Sequence, residues 1–191
     1  SGTVSCLSYD GTMRWQAKTP EAILWAWPSI ADLDGNGKGE VVIGDEGGYL
    51  TCLRWDGEVV WRVQTDGACG SGPAIGDLNG DGAPEVVIGT EARLLCLASD
   101  GSWLWEHPFA DSCDSAPVIA DLYNDGRMAI IVGTGRFDGN LYALDGITGE
   151  VWWRFEVNDH VDSAISAADV DSDGLREIVF GIGGGIPGGK K

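Results

Sequence analysis

The chain repeats itself. Acidic segments open at Asp32, Asp77, Asp121 and Asp169, 45, 44 and 48 residues apart, and a tryptophan returns at Trp15, Trp61, Trp105 and Trp153, 46, 44 and 48 apart. Two independent markers keep one step, including the longer last one. A third marker, an Asp-Gly pair at Asp10, Asp56, Asp100 and Asp145, falls at corresponding places. Such a period restricts the fold to architectures in which one small unit is buried against copies of itself.

Each unit reads as four strands. In the second, SGPAIGDL leads into the acidic loop, and EVVIGTEA, RLLCLAS, an Asp-Gly turn and SWLWEHPF follow. Short apolar runs broken by Gly and Asp, with no sustained helical period, predict strands. Four strands in about 40–50 residues is the pattern of a β-propeller blade. The expected fold is all-β: a four-bladed β-propeller of four-stranded antiparallel blades, forming a single domain over residues 1–182. Its blades span 20–64, 65–109, 110–157, and 158–182 together with 1–19. The last grouping follows because residues 3–18 match only the third and fourth strands of a unit, and residues 163–182 only the first two. The N-terminal strands should complete the last blade and close the ring, leaving no free edge. Two chains combining into a ring of eight blades is the alternative. The Gly-rich tail, 183–191, reads as a flexible linker.

The acidic loops carry the chemistry. With the first Asp as position 1, loop one places Asp32, Asp34, Asn36 and Glu40 at positions 1, 3, 5 and 9. Loop two places Asp77, Asn79, Asp81 and Glu85 there, and loop four Asp169, Asp171, Asp173 and Glu177. Oxygen-bearing side chains at alternate positions, with Gly at position 6, let the backbone curl around one hard cation. Calcium takes about six to eight oxygens. The side chains and the position-7 carbonyls of Lys38, Ala83 and Leu175 supply most of that number. Magnesium prefers a tight octahedron that keeps its waters, and zinc would want His or Cys, which these loops lack. The loops are not EF-hands, because the closing acid stands at position 9 rather than 12 and strands flank them. Loop three, with Asp121, Tyr123, Asp125 and Ala129, is degenerate, and weak or no binding is expected there. About three calcium sites result. The competing explanation is that Asp-Gly and Asn-Gly simply make good turns. It accounts for the glycine and one Asp or Asn, but not for a Glu three residues past the glycine in three loops.

With these residues in view, GDLNGDGAPEVVIG (residues 76–89) and its counterparts resemble the FG-GAP (VCBS-type) calcium-binding propeller repeat of integrin α heads. The family usually closes the loop with Asp, where this chain has Glu. YALDGITGEVWW (residues 142–153) is similar to the repeat of pyrroloquinoline-quinone-type propellers, some of them non-enzymatic scaffolds. The resemblance implies a propeller with calcium on one rim and leaves the partner open.

Charge narrows the partners. Twelve basic against thirty acidic side chains give −18, which disfavours nucleic acid and anionic membranes but suits divalent cations. No apolar run is long enough for membrane insertion. No signal-peptide pattern opens the chain, and a mature form would carry none. Five cysteines cannot all pair within one chain. Cys6, Cys52 and Cys96 share one repeat position, with Tyr142 standing there in the third full blade, and read as small buried hydrophobes. Cys69 and Cys113 correspond to Leu24 and Val161, which also indicates apolar packing, although a Cys69–Cys113 bridge remains open.

The recurring tryptophans read as packing between blades. Trp25 and Trp27 do not recur, and are candidates for stacking on a sugar or docking a partner, against the reading that they fill a gap in their blade. His107 and His160 belong to no catalytic grouping, and His160 should be solvated. The paired carboxylates needed for glycoside chemistry occur only inside the calcium loops. The expected function is therefore non-catalytic: a secreted or cell-surface calcium-binding propeller acting in interaction, adhesion or assembly, with a protein or glycan partner. Self-assembly is a further possibility. The alternative is an accessory part of a secreted carbohydrate-active enzyme or quinoprotein-like propeller.

Overall fold

The structure is a computed structural model that describes residues 1–113 and 115–183; of the predicted tail, only Gly183 is among them. Sixteen strands and no helix occur among the described residues. The first hairpin, β1 (Thr3–Leu7) and β2 (Met13–Lys18), forms a two-stranded sheet. Three four-stranded antiparallel sheets follow. They comprise β3 (Ser29–Ala31), β4 (Glu40–Gly44), β5 (Tyr49–Leu53) and β6 (Val59–Gln64); then β7 (Ala74–Gly76), β8 (Glu85–Gly89), β9 (Arg93–Leu97) and β10 (Trp103–Pro108); then β11 (Val118–Ala120), β12 (Ala129–Gly133), β13 (Asn140–Asp145) and β14 (Val151–Glu156). A last two-stranded sheet holds β15 (Ser166–Ala168) and β16 (Glu177–Val179). Strands follow one another across every sheet, so each unit is a simple meander.

The burial pattern explains the sequence pattern. The second strands β4, β8 and β12 are buried at every position, because neighbouring blades cover both faces. They therefore read as unbroken runs, EVVIG, EVVIG and AIIVG, rather than alternating ones. The fourth strands are exposed or half-exposed and carry mixed sequences.

The core lies between blades. One cluster joins Leu50 and Cys52 of β5 to Val86, Leu95 and Leu97 of the next sheet, and three equivalent clusters fill the other junctions. Each junction also contains one recurring tryptophan. Trp15 Nε1 donates to the Trp55 carbonyl at 2.9 Å, Trp61 Nε1 to that of Ser99 at 2.9 Å, and Trp105 Nε1 to that of Gly146 at 3.1 Å. The rings lie under the turn glycines Gly57, Gly101 and Gly149, at φ +90°, +84° and +70°. Any side chain there would be strained and would strike the indole.

Strand register corrects two correspondences. The residue opposite the recurring tryptophan is Cys6, Cys52 and Cys96 in the first three units, but Ala143 in the next, not Tyr142. The β13–β14 turn is one residue longer than the others, so Gly149 is the turn glycine there, and Asp145 corresponds to Ser8, Arg54 and Ala98, two residues before the other Asp residues. Likewise Ile23, not Leu24, joins the apolar cluster beside Val4; Leu24 is 66% exposed. Cys113 and Val161 do correspond to Cys69, each packed on the glycine ending a second strand. None of the five cysteines is joined in a disulfide. Burial pushes the thiols of Cys52 and Cys96 up to about 12 and that of Cys69 to about 11, which leaves them inert near neutral pH.

The expected closure is not made. The innermost strands contact in sequence, β3 with β7, β7 with β11, and β11 with β15, but β3 does not reach β15 and β1 does not approach β16. Four junctions turning a quarter circle each would bring β16 onto β1. Three whole blades and two half-blades therefore form a series whose first and last strands do not meet.

Candidate metal centres

Each acidic loop connects the first and second strands of a unit, and each turn glycine connects the third and fourth. In an antiparallel meander both connections fall at one end, so all four loops share a rim. The loops also share a backbone. Position 6 is left-handed at Gly37, Gly82, Gly126 and Gly174, and so is position 4, at Gly35, Gly80, Asn124 (φ +54°) and Ser172 (φ +66°). The position-1 carboxylates of Asp32, Asp77, Asp121 and Asp169 each accept the position-6 amide, at 2.7–2.9 Å. This first Asp therefore holds the turn whether or not the rest of the ligand set is present.

The glutamates have a separate role. One oxygen of Glu40, Glu85 and Glu177 accepts the position-2 amide of Leu33, Leu78 and Val170, at 2.9, 2.7 and 2.9 Å. Leu33 and Leu78 are buried, so this bond fastens the loop to the wedge below. The second oxygen distinguishes the sites. Glu85 Oε1 accepts Asn79 Nδ2 at 3.0 Å, whereas Glu40 Oε1 is buried with no hydrogen-bond partner. Burial, then the charges of Asp81 and Asp77, hold the Glu85 carboxyl above its ordinary value, although the Leu78 amide opposes this.

Two groups converge closely enough to hold one ion: Asp32, Asp34 and Glu40 in loop one, and Asp169, Asp171 and Asp173 in loop four, with ligand oxygens within 4.8 Å of one another. In loop two Asp77, Asp81 and Glu85 do not converge to that degree, and Glu85 Oε1 accepts from Asn79 instead. Asn36 lies beside the first group, its Oδ1 accepting the Lys38 amide, and the position-7 carbonyls of Lys38, Ala83 and Leu175 belong to the same loops. Loop three keeps the turn but not the ligands. Its Tyr123 stacks on Trp152 at 5.7 Å, and Arg127 covers the same ring and pairs with Asp145 at 2.7 Å. An aromatic–cation cluster occupies that part of the rim. Sequence reasoning missed the position-4 conformation and the position-2 anchor; the small or polar residue and the aliphatic one recurring there were the available signals.

Trp25 and Trp27 lie on the opposite rim. They line a cavity of about 460 Å³ with Gly70, Glu91, Ser112 and Asp162. Trp25 is 73% exposed, while Trp27 packs tightly over Gly72. His160 sits between Asp159 and Asp162, at 3.1 and 3.2 Å, and His107 stacks against Phe109.

Two families match this arrangement. The FG-GAP-like repeat matches residues 32–88, and the family described as outer membrane protein assembly factor BamB matches residues 76–185, more than half of the chain. The chain belongs to the BamB family. Its fold superposes on BamB from Moraxella catarrhalis with a TM-score of 0.67 and 24% identity, covering 88% of this chain and 48% of that one. The V. cholerae biofilm matrix protein Bap1 gives 0.60 and 24%, over 82% and 28%. The quinohemoprotein alcohol dehydrogenase from Comamonas testosteroni gives 0.66 and 15%, over 92% and 36%. This BamB-family chain thus spans less than half the length of each. A comparison with curated proteins returns no match. The β-propeller fold and the mixture of FG-GAP and quinone-propeller repeats agree with the reading of the sequence.

Proposed function

We propose that this chain is a non-catalytic, calcium-stabilised propeller segment that works as an interaction or assembly module in the cell envelope or outside the cell. The observation that carries the reading is Glu40 Oε1. A buried carboxylate oxygen without a donor is costly unless a cation completes it, and Asp32 and Asp34 converge on the same point. Asn36 and the Lys38 carbonyl would extend the set toward calcium's usual number. Loop four would bind through Asp169, Asp171, Asp173 and the Leu175 carbonyl, with Glu177 anchoring its base. Loop two would bind through Asp77, Asn79, Asp81, the Ala83 carbonyl and Glu85 once Asn79 turns its oxygen inward. Calcium supplies the positive charge that lets these oxygens stay close. Three ions would reduce the formal charge from −18 to −12.

Millimolar calcium outside the cytoplasm matches exposed sites of modest affinity. The BamB family description and the matrix-protein neighbour support a role in holding other proteins rather than transforming a substrate. On the far rim, exposed Trp25 beside Glu91 offers a stacking face for a sugar ring or a peptide; Trp25→Ala should abolish that binding on a glycan or peptide array without lowering the melting temperature.

The test is a thermal melt in calcium and in EDTA. Ligand at about 100 times its dissociation constant contributes about 2.7 kcal/mol per site, and 1 kcal/mol moves Tm by about 2–4 °C at this size. Calcium should therefore raise Tm by more than about 5 °C. Coincident curves would defeat the proposal.

A further inference from the structure

We infer that the cavity on the rim opposite the acidic loops binds an arginine side chain carried on an extended segment of a partner protein. The inference rests on the reading of Trp25 as a stacking face for a partner, and it names that partner's chemistry.

The repeat builds the cavity. Ser29, Ala74 and Ser166 each open the innermost strand of a unit, so Trp25, Gly70 and Asp162 share one repeat position. All three line the cavity of about 460 Å³, together with Trp27 and Glu91. Its walls come from the three complete blades, with Asp162 alone standing at the start of the next. Trp27 stands where the later units have Gly72, Ala116 and Ala164. The pyrrole edge of its indole lies over Gly72, and any side chain there would strike Nε1. A glycine of the second unit thus makes room for an indole of the first, which stays 50% exposed.

Charge selects the ligand. Carboxylates of Glu91 and Asp162 line the cavity, and among the described residues no lysine or arginine does. Arg93, two residues from Glu91, is committed to Asp66 and Glu106. Asp162 Oδ2 lies 3.2 Å from His160 Nε2, which fixes its direction. An indole attracts a cation to the negative face of its ring, and that cation is more often arginine than lysine. A guanidinium stacks flat on the ring and offers a fork of N–H donors to a carboxylate at its edge, which an ammonium cannot do. The chain makes this contact within itself on the other rim, where Arg127 covers the Trp152 ring at 4.8 Å and donates to Asp145 at 2.7 Å. A cavity of this size takes one side chain and its flanking backbone. Trp25, 73% exposed, offers more apolar surface than a small free cation would cover, so the guanidinium comes on a chain.

The probe is a capped Gly-Arg-Gly tripeptide, titrated into the chain in calcium at about 0.15 M salt, where attraction to the acidic surface is screened beyond about 8 Å. The readout is the nine indole N–H resonances, assigned with Trp→Phe variants. Those of Trp25 and Trp27 should shift and saturate while the others stay in place. Trp25→Ala and Glu91→Gln, both at exposed positions, should each weaken binding at least about fivefold with circular dichroism unchanged. A capped Gly-citrulline-Gly tripeptide, of the same shape without the charge, should shift neither resonance at the same concentrations. Equal binding of the citrulline peptide would mean neutral stacking, and equal binding of free agmatine a small cationic ligand. Unchanged affinity in Glu91→Gln would mean that the carboxylate plays no part. An oligosaccharide that saturates the same resonances where the arginine peptide fails would mean a sugar site. Each overturns the inference and leaves the stacking role of Trp25 standing; no shift with any probe overturns both.

Discussion

Glu40 divides its two oxygens between folding and binding. One accepts the Leu33 amide and the other has no protein partner. Glu40→Gln keeps an acceptor for the amide but replaces buried charge with a neutral group. In EDTA the variant should be more stable than the parent by about 1 kcal/mol or more, since an unpaired buried charge costs more than an amide. In calcium the order should invert, with affinity at loop one falling at least about tenfold, or about 1.4 kcal/mol. Paired melts in the two buffers check the crossing. Glu85 gives a second sign. Its carboxyl titrates above the ordinary 4.5 in the folded chain, so the metal-free protein binds more protons there than the unfolded chain does. That contribution favours the fold at low pH and is lost as pH rises from about 4.5 through the raised value. The stability difference between parent and Glu85→Gln in EDTA should therefore fall over that window, measured by urea unfolding. In calcium it should rise instead, because binding requires the deprotonated form.

At the scale of the element, each hairpin turn is fastened to the indole of the blade before it. Trp61→Phe removes only the bond to Ser99 and should cost about 1 kcal/mol. Gly101→Ala should cost about 1–3 kcal/mol from its backbone alone, and more because the new methyl would meet the Trp61 ring at about 2.9 Å. Gly11→Ala meets nothing within 4 Å and should cost less; chemical denaturation ranks the two. The strand order was legible because Asp, Trp and Gly recur in step, and each recurrence has a contact behind it. Register was less legible. Tyr142 and Asp145 misled because the β13–β14 turn holds one extra residue, and a β-strand shifted by one changes face. Ile23 and Leu24 were confused for the same reason: adjacent apolar residues look alike until one of them is buried.

Across the whole molecule, the number of strands was readable and the curvature was not. Residues 3–18 and 163–182 do carry complementary halves of a unit, but whether they meet depends on how far each wedge turns the chain. That turn is set by the summed shapes of side chains such as Leu50, Cys52 and Leu95, which no local pattern encodes. The acidic groupings of loops one and four were legible in the spacing of their residues; that the acids of loop two do not converge, with Glu85 accepting from Asn79, was not. The central claim is that the crowded oxygens of this rim surround calcium. The most direct measurement is anomalous diffraction from crystals grown in calcium, recorded at a long wavelength. The account predicts peaks inside the loops that begin at Asp32, Asp77 and Asp169, and none at Asp121. Water-level density in all four loops would contradict it.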